Sequence, residues 1–190
     1  MIESWFSSPI YVEDNVDKEN INKYKKHIKK YALQTNFLLN SIQNREGIHT
    51  SHELIDLVKD PIFTPLKTHI LKHNKIFLSA LGYDEKTIVG MKISNMWFNV
   101  SHTDTSLLKH LHPGSITSGV YYVKSSYKNK ILFYAKDSMI LPPKNPNKLS
   151  YEDVTYECLE GRIILFKSNL DHSAPRQQEK EKISISFNIF

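Results

Sequence analysis

Apolar positions recur along this chain in two different rhythms, and the change falls near residue 86. Before it, Ile21, Tyr24, Ile28 and Tyr31 stand three to four apart with lysines between them, which predicts a helix burying one stripe, with Asp17 as its cap. Ile62, Leu66, Ile70, Phe77 and Leu81 predict a second, longer helix ended by Gly82. Trp5 to Val12 reads as an extended segment around Pro9, and Gly47 to Asp60 as a connector with a short helix at Glu53 to Val58. From Lys86 the texture becomes short β-branched and aromatic runs: Thr87 to Val100, Thr117 to Lys124, Ile131 to Ala135, Val154 to Leu159, Arg162 to Lys167 and Lys182 to Phe190. Leu141 to Ser150, with its prolines, reads as a loop. Helices followed by strands predict a mainly β architecture, a sandwich or open barrel braced by N-terminal helices.

At 190 residues and 22.1 kDa the chain has room for one domain with a sizeable core. The sequence predicts a single domain over 1–190, with 1–85 as helical support and 86–190 as the β core. Its longest apolar runs are far short of the roughly 20 residues of a membrane-spanning helix, so no membrane partner is expected. The opening residues lack a basic n-region and an apolar h-region, which points to the cytoplasm. A lone Cys158 can form no internal disulfide and no thiolate zinc site, so any metal must be held by His and carboxylate. The net charge of +5 comes from scattered lysines, and only three of the 25 cations are Arg. That distribution favours a solvated basic helix face over a phosphate-binding design, and nucleic acid is possible as a partner but not favoured.

The nine histidines are the candidate chemistry. His69 and His73 stand four apart on the second helix, but Ile70 occupies the place where a metalloprotease helix carries Glu, so they read as a surface pair. His27, His49, His52 and His102 have no partner at informative spacing. His110 and His112, at i and i+2 before a strand, can point to the same side of the chain and chelate one ion. His172, after the glycine turn, apolar strand and polar rim of Gly161 to Asp171, can supply a third ligand. Three ligands on one face of a metal leave the opposite positions open.

Together these stretches carry a resemblance. Trp97-Phe98-Asn99-Val100, His110-Leu111-His112-Pro113-Gly114-Ser115, Ser118 to Val123, the Gly161, Phe166 and His172 pattern and Lys182 to Asn188 resemble the 2-oxoglutarate/Fe(II)-dependent oxygenases of bacteria and phages, relatives of the prolyl hydroxylases. The opening Phe6 to Val12 is similar to the family's start, so the resemblance spans nearly the whole chain. It implies a double-stranded β-helix, the jelly roll of cupin-like proteins, and a cytoplasmic enzyme, of the host cytoplasm if phage-encoded. It also implies Fe(II) as cofactor, 2-oxoglutarate as cosubstrate and O2 as oxidant, with two-electron oxidation of a C–H bond and release of succinate and CO2.

One departure matters. The superfamily usually holds iron by His-x-Asp/Glu and a distant His, and here the carboxylate position is His112. Neutral imidazole in place of a carboxylate makes the site more positive and more dependent on the cosubstrate dianion. Three ligand sets stand open: His110, His112 and His172 together, which is favoured; two His with solvent; or recruitment of Asp104 or Asp171. For the cosubstrate, the resemblance implies that Lys182, ten positions after His172 where the family usually has Arg, takes the remote carboxylate with Ser184 two residues on. It also implies that Tyr122 reaches that carboxylate, that Ser118 shares the face of Tyr122, and that Asn99 approaches the other end. Arg176 is the alternative cation. The substrate is not legible; kinship with prolyl hydroxylases favours a protein, a peptide or a small molecule. Two other readings compete: a cupin-like three-His metalloprotein, meaning an isomerase or a dioxygenase that needs no 2-oxoglutarate, and a non-catalytic jelly-roll binding module.

Overall fold

Period-two burial in the second half of the chain produces two antiparallel sheets, seen in a computed structural model that describes residues 7–34, 48–52, 54–136, 140–141 and 143–190. Trp5, Phe6, Gly47, Glu53 and Pro142, which belong to segments considered above, lie outside the described residues. The strands are β1 (Ile10–Glu13), β2 (Ile48–Thr50), β3 (Ile93–His102), β4 (Leu107–His110), β5 (Thr117–Lys124), β6 (Lys130–Tyr134), β7 (Asp153–Glu157), β8 (Ile163–Lys167), β9 (His172–Ala174) and β10 (Glu181–Ile189). One sheet has the order β1-β8-β5-β10-β3-β2, the other β4-β9-β6-β7. Two facing antiparallel sheets with this interleaved order are the jelly roll that the family resemblance implies.

Alternation splits the larger sheet into two chemistries. Tyr121, Val123, Leu165, Ile183, Ile185 and Phe187 face the helices and join their stripes in one core. Val120, Tyr122, Ile164 and Phe166 face the smaller sheet and pack with Ile131 and Phe133. Helix α1 (Ile21–Gln34) buries Ile21, Tyr24 and Ile28, and α2 (Thr64–Ala80) buries Leu66, Ile70 and Phe77, as the periodicity predicts. Gly82, at φ +86°, closes α2 in the left-handed region where only glycine is unstrained. No described helix is long and apolar enough to cross a membrane.

Several expectations are corrected. Asp17 does not cap α1: a 3₁₀ turn at Lys18–Asn20 intervenes, and the buried Asp17 carboxylate accepts from the Tyr24 hydroxyl and from Asn20 Nδ2 instead. The connector contributes strand β2, and its helical turns lie at Leu57–Lys59 and Pro61–Phe63, started by Asp56 and Asp60 side chains that accept from Val58 and Ile62 N–H groups. His69 and His73 are not a surface pair. His73 is buried with Nδ1 2.8 Å from the Tyr11 hydroxyl, pinning β1 to α2, because it falls on the same stripe as Ile70 and Phe77. The run from Thr87 begins not as strand but as α3 (Glu85–Gly90). Asp84 caps that helix, accepting from the Thr87 N–H at 2.9 Å and its hydroxyl at 2.6 Å, and this local bond outweighs the β-branched composition.

Candidate metal centre and anion pocket

The smaller sheet presents two histidines at paired positions. His110, ending β4, lies directly opposite His172, opening β9, and their ring centroids are 4.2 Å apart. The β4–β9 register shifts between Leu107 and His110, a bulge that re-aims the end of an edge strand. His112 lies just beyond β4, and its ring stacks on His172 at an interplanar angle of 14°, with the two Nε2 atoms 3.3 Å apart. One ligand atom from each of the three lies within 4.8 Å of the other two, close enough for a single ion.

The backbone sets the tautomers of the strand pair. His110 Nδ1 lies 2.8 Å from the Leu108 carbonyl oxygen and His172 Nδ1 lies 3.0 Å from that of Leu170. A carbonyl only accepts, so Nδ1 carries the proton in each and Nε2 keeps its lone pair for a metal. Burial, reinforced by His110, pushes the pKa of His172 down to about 4, so this imidazole is neutral at ordinary pH. The donor set therefore fits a borderline divalent ion such as Fe(II). Asp104 pairs at the surface with Arg176 and Asp171 with Lys109, and neither lines the cavity below the histidines.

That cavity, of about 80 Å³, runs between the sheets from the three histidines to Lys182. Its far end is built by the larger sheet. Ser184 on β10 is paired with Asn99 on β3 and with Tyr122 on β5, so the three side chains form one row across the inner face, with Lys182 at the next inward position. The Lys182 amine makes no hydrogen bond or ion pair among the described residues, yet the residue is only 7% exposed. Burial lowers its pKa below the ordinary lysine value, while Cys158 and Glu179 pull the other way. No carboxylate lines the cavity among the described residues.

The structure thus brings together His110, His112, His172, Lys182, Ser184, Tyr122 and Asn99 around one cavity, although Asn99, expected at the other end of the cosubstrate, stands beside Ser184 because β3 pairs with β10 at that position. Ser118 does not join them. It shares the inward face of Tyr122, but four residues of strand, about 13 Å, separate the two, and Ser118 is opposite Asn188 rather than Ser184. Arg176 is exposed and paired with Asp104, so Lys182 is the cation that lines the cavity. Three features escaped the sequence reading. Trp97 lies 5.8 Å from the His112 ring and 4.7 Å from that of His52. The buried Cys158 thiol bonds the Tyr122 hydroxyl, whose pKa is pushed well above the ordinary value, first by burial and then by this neighbour. The Leu108 and Leu170 carbonyls could have been anticipated only from each histidine's place at a strand end.

Residues 95–188 match the family described as "Putative 2OG-Fe(II) oxygenase". Over those residues the chain belongs to this family. It is a 2-oxoglutarate- and Fe(II)-dependent oxygenase related to the prolyl hydroxylases, and the family's cofactors suit the histidine trio. Solved oxygenases of the same fold include a Pseudomonas putida prolyl-4-hydroxylase, 11% identical at a TM-score of 0.62, with 96% of this chain and 93% of that one covered. The non-heme alpha ketoglutarate dependent epimerase SnoN from nogalamycin biosynthesis is likewise 11% identical, at a TM-score of 0.64 over 96% of this chain and 76% of that one. HygX from Streptomyces hygroscopicus, solved with nickel and 2-oxoglutarate bound, is 9% identical at 0.61, over 96% and 82%. No curated protein matches the chain.

Proposed function

We propose that this oxygenase is a hydroxylase that holds Fe(II) through Nε2 of His110, His112 and His172 and takes 2-oxoglutarate with its remote carboxylate on Lys182. Residues 1–190 act as one domain, 1–85 supporting the jelly roll. The observation that carries this reading is the buried Lys182 amine, left without an acid at one end of a cavity whose other end is three imidazoles. A buried ammonium requires a counter-anion, and a dicarboxylate that also chelates a metal spans both ends. Ser184 and Tyr122 supply hydroxyls beside the amine, and Asn99, whose Nδ2 donates to Ser186 Oγ at 3.3 Å, holds the wall next to them. Iron with 2-oxoglutarate bound would let O2 oxidise a C–H bond, one oxygen atom passing to the hydroxylated product and the other to succinate as CO2 is released. The chain's own part is to fix the lone pairs and neutralise the dianion in a cavity whose walls include Trp97 and Phe166.

The substrate is a peptide side chain or a small molecule, the two classes named among the similar structures: one prolyl hydroxylase holds a peptide fragment and HygX holds hygromycin B. A three-His metalloprotein that needs no 2-oxoglutarate would leave the buried Lys182 amine without a purpose. The deciding experiment is succinate formation from 2-oxoglutarate, with Fe(II) and without added substrate. Turnover is expected in the native protein and is expected to vanish in His110→Ala and His172→Ala at unchanged melting temperature. Full turnover in either variant removes the metal assignment.

A further inference from the structure

His112 is the ligand that no strand holds, since β4 ends at His110. Its main-chain N–H donates to the Ser168 carbonyl oxygen at 2.8 Å. Ser168, just past β8, is itself fixed twice: its N–H donates to the Ile116 carbonyl at 3.2 Å, and its hydroxyl lies 2.7 Å from Ser118 Oγ. The direction of the second bond follows from the third member. Ser118 donates to Asn188 Oδ1 at 2.7 Å, an oxygen that only accepts, so the Ser118 proton is committed there and its oxygen accepts from Ser168. All three side chains are buried, yet Ser118, Ser168 and Asn188 line no part of the cavity. Buried hydroxyls and amides in a sandwich interior stabilise less than apolar residues of the same size would, so a linked trio at this place calls for a reason beyond packing.

We infer that Ser118, Ser168 and Asn188 are positioning residues for His112, clamping the Ser168 carbonyl so that the imidazole stands where a metal requires it. The inference rests on the three-histidine reading. It gives Ser118 a role different from contact with the cosubstrate, at the opposite end of the inner face. The ring of His112 is cross-braced by His172 and Trp97, but the height of its main chain over the cavity is set by the bond to Ser168.

The test titrates the metal-free protein with Co(II) alone, reading affinity by calorimetry and ligand geometry by the visible d–d bands. Ser168→Ala removes the hydroxyl while leaving the carbonyl and the Ser118–Asn188 bond. It is expected to weaken Co(II) binding about tenfold and to alter the bands. Ser168→Thr, which keeps the hydroxyl, is expected to retain affinity. In a His112→Ala background, Ser168→Ala is expected to cause no further loss, because it acts through that ligand. Asn188→Ala, which removes the terminal acceptor, is the second variant should Ser168→Ala fail to fold, and a smaller loss in the same direction is expected. Unchanged Co(II) affinity in a folded Ser168→Ala or Asn188→Ala protein overturns the inference, as does an equal loss in the His112→Ala background. Should His112→Ala itself leave Co(II) affinity intact, the three-histidine reading falls and this inference with it.

Discussion

Lys182 places an amine in the cavity at only 7% exposure, and its consequences are measurable one residue at a time. Losing a charge-assisted hydrogen bond in a buried site costs roughly 1.5–3 kcal/mol, so Lys182→Met is expected to raise the dissociation constant for 2-oxoglutarate by about one to two orders of magnitude. Lys182→Arg is expected to retain more affinity than Met, since it keeps the charge, although the wider fork must fit a pocket shaped round an amine. Equal affinity in the Met variant, with metal still bound, would sink the assignment. The lowered pKa adds a pH signature. The dianion needs the ammonium form, so affinity is high at low pH and falls as pH rises through the depressed pKa, earlier than for an ordinary lysine. Above that pKa, binding must draw a proton from solvent. Calorimetry in two buffers of different ionisation enthalpy reads this uptake directly, and its absence at alkaline pH would show that the amine is not the partner. His112, proposed as a ligand where the family usually has a carboxylate, changes the charge of the site, and that effect belongs to the scale of the whole molecule.

Strand β5 shows how an element serves two cores at once. Gly119 lies opposite Phe187 on β10, and a Cβ there would stand 2.5 Å from Phe187 Cζ and 2.7 Å from Leu165 Cδ2. The close approach of β5 and β10 sets Ser184 beside Tyr122, so this glycine is part of how the proposed cosubstrate pocket is assembled. Gly119→Ala is expected to destabilise the fold by about 1–3 kcal/mol through overpacking, lowering Tm by several degrees. Phe187→Leu in the same chain is expected to recover part of the loss. Additive losses in the double variant would show that ring and glycine do not meet. The same strand marks the limit of what the sequence discloses. Long stripes such as Ile21, Tyr24, Ile28 and Leu66, Ile70, Phe77 give both long helices, because each spans several turns of a period. Strands β4 and β9 have four and three residues, too short for any period, yet they carry His110 and His172. The proposed ligands are legible only through their spacing and family resemblance. Ser118 was misplaced because one strand face spans two rows of the sheet, and the row is set by pairing with β10, which no local pattern encodes. The carbonyls of Leu108 and Leu170 are invisible in a sequence, since every residue has one.

Across the molecule the two sheets hold opposite ends of a single electrostatic problem. The smaller sheet and its loop offer three imidazoles, the larger sheet offers a buried lysine amine, and no acid lines the space between them among the described residues. A divalent ion entering alone adds positive charge to a cavity that already holds one, while a dianion bridging the ends neutralises both. Metal and 2-oxoglutarate are therefore expected to bind with strong positive coupling. By linkage, each must raise the affinity of the other by the same factor, here at least tenfold. Chelation contributes to such coupling in any site of this kind, so the distinguishing measurement is its change on substitution. His112→Asp puts a negative charge back among the ligands. Co(II) alone is expected to bind this variant more tightly, and the coupling factor is expected to shrink, because the metal no longer depends on the dianion for its charge balance. Lys182→Met, which removes the competing cation, is expected to move Co(II) affinity in the same direction while weakening 2-oxoglutarate. Titrations of Co(II) with and without saturating 2-oxoglutarate, and of 2-oxoglutarate with and without Co(II), give the factor twice over in each protein. A coupling factor unchanged by His112→Asp would mean that charge is not what joins the two sheets, and that the departure from carboxylate at position 112 serves geometry alone.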